Sequence, residues 1–308
     1  MFIKILYCVF NKPADLCVAL LSRCAAIIPD KLYLKLVFRL KMGYWMDFDN
    51  PKTFNEKLQW LKIYNRRPEY TKMVDKFAVK EYAANVIGWD YIIPTLGVWD
   101  RFEDIDFEIL PAQFVLKTTH GGGGGGVVIC KEKAQFDACA AKEKLNKSLK
   151  YSIYQRSKEW PYKDVPRKII AEQYIKDRAE EELKDYKFFC FNGRVEYYKV
   201  DFDRFVEHKA NYYDRDGNLK QFGEEVCPPD YNKELETPKQ ISKMIELAER
   251  LSRNLPFARI DLYCTDNKIY FGEITFFPAG GFGKFTHPIW DVTLGKLIHI
   301  ENRDEQIS

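Results

Sequence analysis

No stretch of this 308-residue sequence approaches the ~20 apolar residues of a membrane-spanning helix. Residues 16–21 and 25–28 are apolar but interrupted by Ser22 and Arg23. Residues 5–10 are too short for a secretory h-region and lack a small-residue cleavage site after them. Charge of one sign is scarce too: a formal net charge of +3 argues neither for nucleic acid nor for a strongly acidic partner. The eight cysteines form no C-x-x-C pair, which leaves zinc ribbons and thioredoxin-like motifs without support. Several lie in apolar runs, as in Phe188-Phe189-Cys190, where a cysteine behaves as a small hydrophobe. A reduced, cytoplasmic location is the expectation. There are four histidines (His120, His208, His287 and His299), and none stands out as a nucleophile.

What is present reads as an ordinary globular chain, 46% hydrophobic and 30% charged, long enough for two domains. One segment departs from the ordinary. Phe114-Val115-Leu116-Lys117 leads through Thr118, Thr119 and His120 into Gly121, Gly122, Gly123, Gly124, Gly125 and Gly126, and Val127-Val128-Ile129-Cys130 follows. The flanks predict two short strands joined by a flexible loop. Six residues without Cβ let backbone N–H groups approach a polyanion such as the phosphates of a nucleotide, with Lys117 at the edge. A flexible linker is the alternative, but the apolar brackets count against it. The run matches Gly-x-Gly-x-x-Gly, yet that fingerprint must open a helix, and a Walker A loop needs Gly-Lys-Ser/Thr where Val127-Val128 stands.

The N-terminal residues read as a helical arm. Lys31, Lys35, Arg39 and Lys41 let it rest on an anionic membrane surface, the alternative to burial against the main body. Thr53 and Glu56 form a capping box for the next helix, which Arg66-Arg67-Pro68 ends. A further helix is predicted over 70–86, holding Asp75-Lys76 and Lys80, two lysines at a spacing that usually just solvates a face. A strand is predicted over 92–99, and a helix over 131–150 with Phe136, Cys139, Ala140 and Leu145 on its apolar side. Residues 167–175 read as a strand with Glu172 near its end. Asn192-Gly193 between two apolar runs is a strong hairpin signal, and 241–251 is an amphipathic helix.

Arg259 and Asp261 share one face of a strand, as Glu273 and Thr275 share one face of the next. A three-residue loop at 266–268 would pair Asp261 with Glu273, and a two-residue loop would put them on opposite faces. Carboxylates converging in apolar strands need a cation, and oxygen donors suit Mg²⁺; an exposed sheet face with incidental acids is the alternative.

Together these elements resemble the ATP-grasp superfamily of carboxylate–amine ligases, and within it the TupA-like branch named for teichuronopeptide biosynthesis, over residues 50–300. The resemblance implies an α+β ATP-grasp fold, two α+β subdomains clasping ATP. Residues 1–50 would be a helical arm, and 51–111 a helical and linking segment with the first ATP lysine, Lys76. Residues 112–175 would form the small subdomain with Lys117 and the glycine-rich lid, and 176–308 the C-terminal subdomain with the metal site. It further implies that Glu172, Gln173, Tyr174 and Ile175 form the adenine hinge, with Asp185 and Lys187 on the ribose strand. Arg259, Lys117 and Arg204 would act on phosphate or carboxylate, His120 would sit beside the loop within reach of substrate, and Asp261, Glu273 and Thr275 would hold Mg²⁺. Two departures stand out: Thr275 replaces the family's usual Asn, and helical sequence replaces the Rossmann-like βαβ domain that often precedes the fold.

The implied reaction uses ATP to activate a carboxylate as an acyl phosphate, which an amine converts to an amide. The branch suggests an amino acid or other amine joined to a uronic acid of a surface polysaccharide or its precursor. Arg204, Lys187 and the aromatic strands around Tyr197, Tyr198 and Tyr212 are candidates for the acceptor site, and contact with the inner face of the membrane is allowed. Two rivals remain. Asp201-Phe202-Asp203 is the Asp-x-Asp triplet of a metal-dependent glycosyltransferase, though Asp47-Phe48-Asp49 repeats it, and an ATP-grasp kinase needs the same parts as a ligase.

Overall fold

The computed structural model describes residues 13–300 apart from 123, 177–182, 204–206, 234, 236 and 266–267. The helices are α1 (Pro13–Arg23), α2 (Asp30–Met42), α3 (Phe54–Tyr64), α4 (Glu69–Val74), α5 (Ala78–Ile87), α6 (Ala138–Leu149), α7 (Ile153–Ser157), α8 (Ile241–Leu251) and α9 (Ile289–Leu297). The strands are β1 (Thr95–Trp99), β2 (Phe114–Thr118), β3 (Val127–Cys130), β4 (Ile169–Gln173), β5 (Asp185–Phe191), β6 (Arg194–Phe202), β7 (Lys209–Asp214), β8 (Leu219–Lys220), β9 (Phe257–Thr265) and β10 (Lys268–Thr275). They form a four-stranded sheet in the order β1-β4-β2-β3 and a six-stranded sheet in the order β10-β9-β5-β6-β7-β8, each antiparallel throughout. The class is α+β, as the sequence predicts. β1, from the segment assigned to the linker, is an edge strand of the small sheet.

Local chemistry explains several boundaries. Thr53 Oγ1 accepts from Glu56 N at 3.2 Å and the Glu56 carboxylate accepts from Thr53 N at 2.9 Å, the expected capping box. The single helix predicted over 70–86 is instead two, α4 and α5. Asp75 Oδ1 accepts from the N–H groups of Phe77 at 2.8 Å and Ala78 at 3.3 Å, so its side chain replaces helix bonds and opens a break at Lys76. In the region predicted as a helix over 131–150, Asp137 caps Ala140 N at 2.9 Å and delays the start of α6 to Ala138. Its buried residues are therefore Ala141 and Leu145, while Cys139 and Ala140 are exposed. Asn192 and Gly193 both have positive φ, 50° and 80°, which a two-residue hairpin turn requires.

α8 buries Met244, Leu247, Ala248 and Leu251 against the back of the large sheet, where Cys190 Sγ lies 3.8 Å from Ala248 O. α2 places Tyr33, Leu34, Val37 and Phe38, all without exposure, in the same core cluster as the large sheet. Three of the four basic residues that made the arm a membrane candidate lie over aromatic rings of the body: Lys31 and Lys35 over Phe48 at 5.3 and 5.9 Å, and Lys41 over Phe282 at 5.0 Å. Among the described residues, no helix is long and apolar enough to cross a membrane.

Candidate active site

The site is built where one face of each sheet carries charge. On the small sheet, Glu172 of β4 is buried between two lysines. Lys80 Nζ lies 2.7 Å from Oε1 and Lys117 Nζ 2.5 Å from Oε2. Lys80 also donates to Ile93 O at 2.6 Å. Burial opposes ionisation of Glu172, but Lys117 and Lys80 outweigh it and bring its pKa down to about 2. Burial, with Lys117 nearby, lowers the pKa of Lys80, and Glu172 works against both. Lys80 is thus no solvated lysine. It lies on the buried stripe of α5 with Ala83, Ala84 and Ile87, and a cation on an apolar stripe was the signal available to find it. The hinge residues beyond Glu172 remain accessible: Gln173 is exposed, Tyr174 and Ile175 are half-buried, and Gln173 N donates to Pro94 O at 3.0 Å.

Lys76 sits in the break between α4 and α5 and joins the two sheets. Its backbone N–H donates to Thr119 O, just beyond β2, at 2.9 Å, and its Nζ lies 2.7 Å from Glu273 Oε2 of β10. On the large sheet, cross-strand register sets Glu273, Asp261, Lys187, Lys199 and Tyr212 in one rung across five strands. The pairing of Asp261 with Glu273 has an unexpected cause. Thr265 faces Lys268, the register of a two-residue connection, and an irregularity between Phe271 and Glu273 then restores the shared face. Gly272 permits it, since a Cβ there would lie 2.9 Å from Asp261 O.

Arg259 is the hub. It grips Asp261 with two bonds, Nε to Oδ1 and Nη2 to Oδ2, each 2.7 Å. The same Nη2 is 3.2 Å from Glu273 Oε1 and 3.1 Å from Thr275 Oγ1. Burial opposes the charge on Glu273, but Lys76 and Arg259 hold its pKa well below the usual carboxylate range. For Asp261, burial pushes the pKa up, Arg259 pulls it down, and Asp185 adds to the upward push. The three candidate metal ligands therefore direct oxygens at one point, taken here by a guanidinium nitrogen. That donor set fits a hard cation, which would have to displace the guanidinium.

Further along the rung, Lys187 Nζ bridges Asp185 Oδ2 at 2.5 Å and Asp201 Oδ2 at 2.6 Å. Lys199 Nζ meets Glu224 at 2.8 Å, and Tyr212 OH donates to Glu224 Oε1 at 2.9 Å. Tyr198 points to the other side of its strand, stacking on Tyr213 with ring centroids 5.2 Å apart, and so leaves the candidate acceptor face. The Asp-x-Asp triplet does not converge: Asp201 joins Lys187, while Asp203, at positive φ, meets Lys233 at 3.3 Å. Asp201, His208 and Cys227 bring ligand atoms within 4.8 Å of one another, but a cation there would meet Lys187 on the same carboxylate.

The glycine loop is anchored at both ends. Thr118 Oγ1 and Ser148 Oγ are 2.8 Å apart, and a Cβ at Gly121 or Gly126 would collide with this hydroxyl pair. Gly122, Gly124 and Gly125 are exposed, while Gly123 lies outside the described residues, as does Arg204. His120 is 2% exposed, with Nε2 at 3.2 Å from both Ser148 O and Tyr151 O.

A family model described as TupA-like ATPgrasp matches residues 56–299. No curated protein matches the sequence. Among solved structures, the chain is similar to D-alanine–D-alanine ligase from Helicobacter pylori (TM-score 0.44, 14% identity, 75% of this chain and 61% of that one). It is also similar to the D-alanine–D-alanine ligase of Bacillus anthracis (0.37, 17%, 66% and 56%). A third is the ADP complex of purK, N5-carboxyaminoimidazole ribonucleotide synthetase (0.41, 18%, 79% and 56%). The chain thus spans less than two thirds of each of these structures, and likeness at this level carries no argument about its chemistry.

Proposed function

The chain belongs to the TupA-like ATP-grasp family, and from that premise we propose that it is an ATP-dependent, ADP-forming carboxylate–amine ligase. The observation that carries this reading is the junction at Glu273. One oxygen faces Lys76, and the other shares Arg259 Nη2 with Asp261 and Thr275, so phosphate-binding cations and oxygen donors for Mg²⁺ meet at one point. Bound with Mg²⁺, ATP supplies the phosphoryl group that gives a carboxylate a leaving group.

The protein's own contribution is charge and alignment. Lys76, Lys117 and Arg259 neutralise phosphate. Asp261, Glu273 and Thr275 would hold Mg²⁺ once Arg259 swings from the carboxylates toward phosphate. Glu172 holds Lys117 and Lys80 in place, and the accessible Gln173, Tyr174 and Ile175 receive the adenine, with Asp185 toward the ribose. The loop from Gly121 to Gly126, hinged at the Thr118–Ser148 pair, closes over the phosphates and keeps water from the acyl phosphate. For the carboxylate substrate we propose a uronic acid of a surface polysaccharide or its precursor, beside Lys187 and Lys199, and for the nucleophile an amino acid or other amine. ATP as co-substrate places the reaction in the cytoplasm.

The test is ADP release with Mg²⁺ and a panel of amines, with and without uronic-acid sugars. Release that needs both an acid and an amine supports the ligase. A phosphorylated product with no amine requirement would make it a kinase, and sugar-nucleotide consumption without ATP would make it a glycosyltransferase. Lys117→Ala should cost on the order of 2–4 kcal/mol of transition-state stabilisation, read as a fall in kcat/KM. Full activity in this variant would remove Lys117 from the site.

A further inference from the structure

The ligase reading leaves one task without a residue. An amine arrives as an ammonium ion and must lose a proton before it can attack. Lys76, Lys80, Lys117, Lys187, Lys199 and Arg259 are each ion-paired cations, and Glu172, Glu273 and Asp261 are each engaged by those cations. We propose that His120 is the base that takes the proton of the attacking amine, an inference that rests on the ligase reading above.

The geometry fixes the ring for this role. Nε2 faces two carbonyl oxygens, Ser148 O and Tyr151 O, at 3.2 Å each, and carbonyls only accept, so Nε2 carries the hydrogen. Nδ1 then holds a lone pair. That atom is buried and has no hydrogen-bond partner among the described residues. A buried acceptor left without a donor is unfavourable, so the ring is poised for a donor from outside the chain. Burial first, then the charges of Arg167 and Lys76, lowers its pKa and keeps it neutral, while the two carbonyls favour the charged form. His120 also lies next to Thr119, whose carbonyl accepts from Lys76 N, and the next residue, Gly121, opens the glycine loop.

The step balances. The ammonium gives one proton to Nδ1, forming an imidazolium that still donates from Nε2 to the carbonyls. The free amine attacks the acyl carbon, the carbon–oxygen bond to phosphate breaks, and phosphate leaves with the electron pair and the amine's second proton. This is general base catalysis, which contributes about 10²–10⁴-fold.

The test uses the full chain, ATP, Mg²⁺ and a uronic-acid sugar of the panel above with two nucleophiles: an alkyl amine of that panel, and hydroxylamine, which is uncharged at neutral pH and needs no base. His120→Gln should lose about 10²-fold or more with the amine and stay within a few-fold of wild type in hydroxamate formation. The wild-type amine reaction should fall on acidification through a group titrating below the ordinary histidine value, and the hydroxylamine reaction, once its rate is referred to the uncharged fraction of the nucleophile, should lack that limb. Equal losses with both nucleophiles, or no loss with either, overturn the proposal. If His120→Gln does not fold, His120→Asn and the wild-type pH profiles decide, and an amine profile without an acid limb overturns it. Wild type forming neither amide nor hydroxamate overturns the ligase reading itself, an outcome distinct from failure of His120.

Discussion

At the residue scale, the Lys80–Glu172–Lys117 triad shows how an ion pair can be structural and serve the site together. Glu172 has a folded-state pKa of about 2 against an ordinary value near 4.5. A lowered carboxylate pKa contributes stability above the unfolded value, and this is lost as pH falls from there toward the folded value. The contribution is on the order of 3 kcal/mol. Denaturant midpoints should therefore drop between ~pH 5 and ~pH 2 in the wild type, and Glu172→Gln should flatten part of that drop while lowering stability at neutral pH. An unchanged acid profile in the variant would show that the carboxylate is not held this way. The sequence made Lys117 and Glu172 legible through their strands. It hid Lys80, because a lysine four residues after another reads as a solvated face until the burial of its helix face is known.

At the element scale, the two carboxylates of β9 and β10 come together through an irregularity that no loop-length argument could supply. Alternation makes the face of each strand legible, but a two-residue connection alone would have turned Glu273 away from Asp261. Gly272 absorbs the extra residue where Asp261 O and Tyr263 Cε2 approach, 2.9 and 3.2 Å from where a Cβ would sit. Gly272→Val should cost about 1–3 kcal/mol through crowding. It should also weaken Mg²⁺-nucleotide binding more than Lys80→Met does, since it moves Glu273 away from Arg259 and Lys76. Calorimetric titration of both variants separates the two, and a Gly272→Val protein that binds nucleotide normally would show that the bulge does not set the carboxylate pair. The break between α4 and α5 has the same character. A periodic pattern continues through 70–86, and only the hydrogen bonds of Asp75 reveal that Lys76 stands outside either helix.

At the scale of the whole molecule, the N-terminal helices are part of the body that carries the site. Asp30, at the start of α2, meets Lys158 at 2.8 Å, Arg66 at 2.9 Å and Tyr154 OH at 3.1 Å. Lys158 is nearly buried, donates to Ala25 O at 2.6 Å and lies over the rings of Tyr33 and Tyr154. The chain then runs through Ser157, whose carbonyl is 2.7 Å from the buried Lys62 Nζ, and Lys62 also reaches Gly280 O, beyond β10, at 2.7 Å. A helical arm was legible in the sequence, but its partners were not, since Asp30 and Lys158 are 128 residues apart. Burial raises the pKa of Asp30 and Lys158 and Arg66 lower it to a net decrease, so its contribution is present at neutral pH and lost on acidification. Asp30→Asn keeps the volume and leaves Lys158 without its counter-charge, at a cost somewhat below the roughly 3–5 kcal/mol of a fully buried pair, since Asp30 is only half-buried. The denaturant midpoint should fall with an unchanged m-value, because the same surface is exposed on unfolding. Were these helices an appendage, the variant would shift neither the main transition nor nucleotide protection. A shift in the single main transition, with Mg²⁺-nucleotide still raising the midpoint, makes α2 a foundation of the large sheet, and burial of its lysines against Phe48 and Phe282 then follows from the fold.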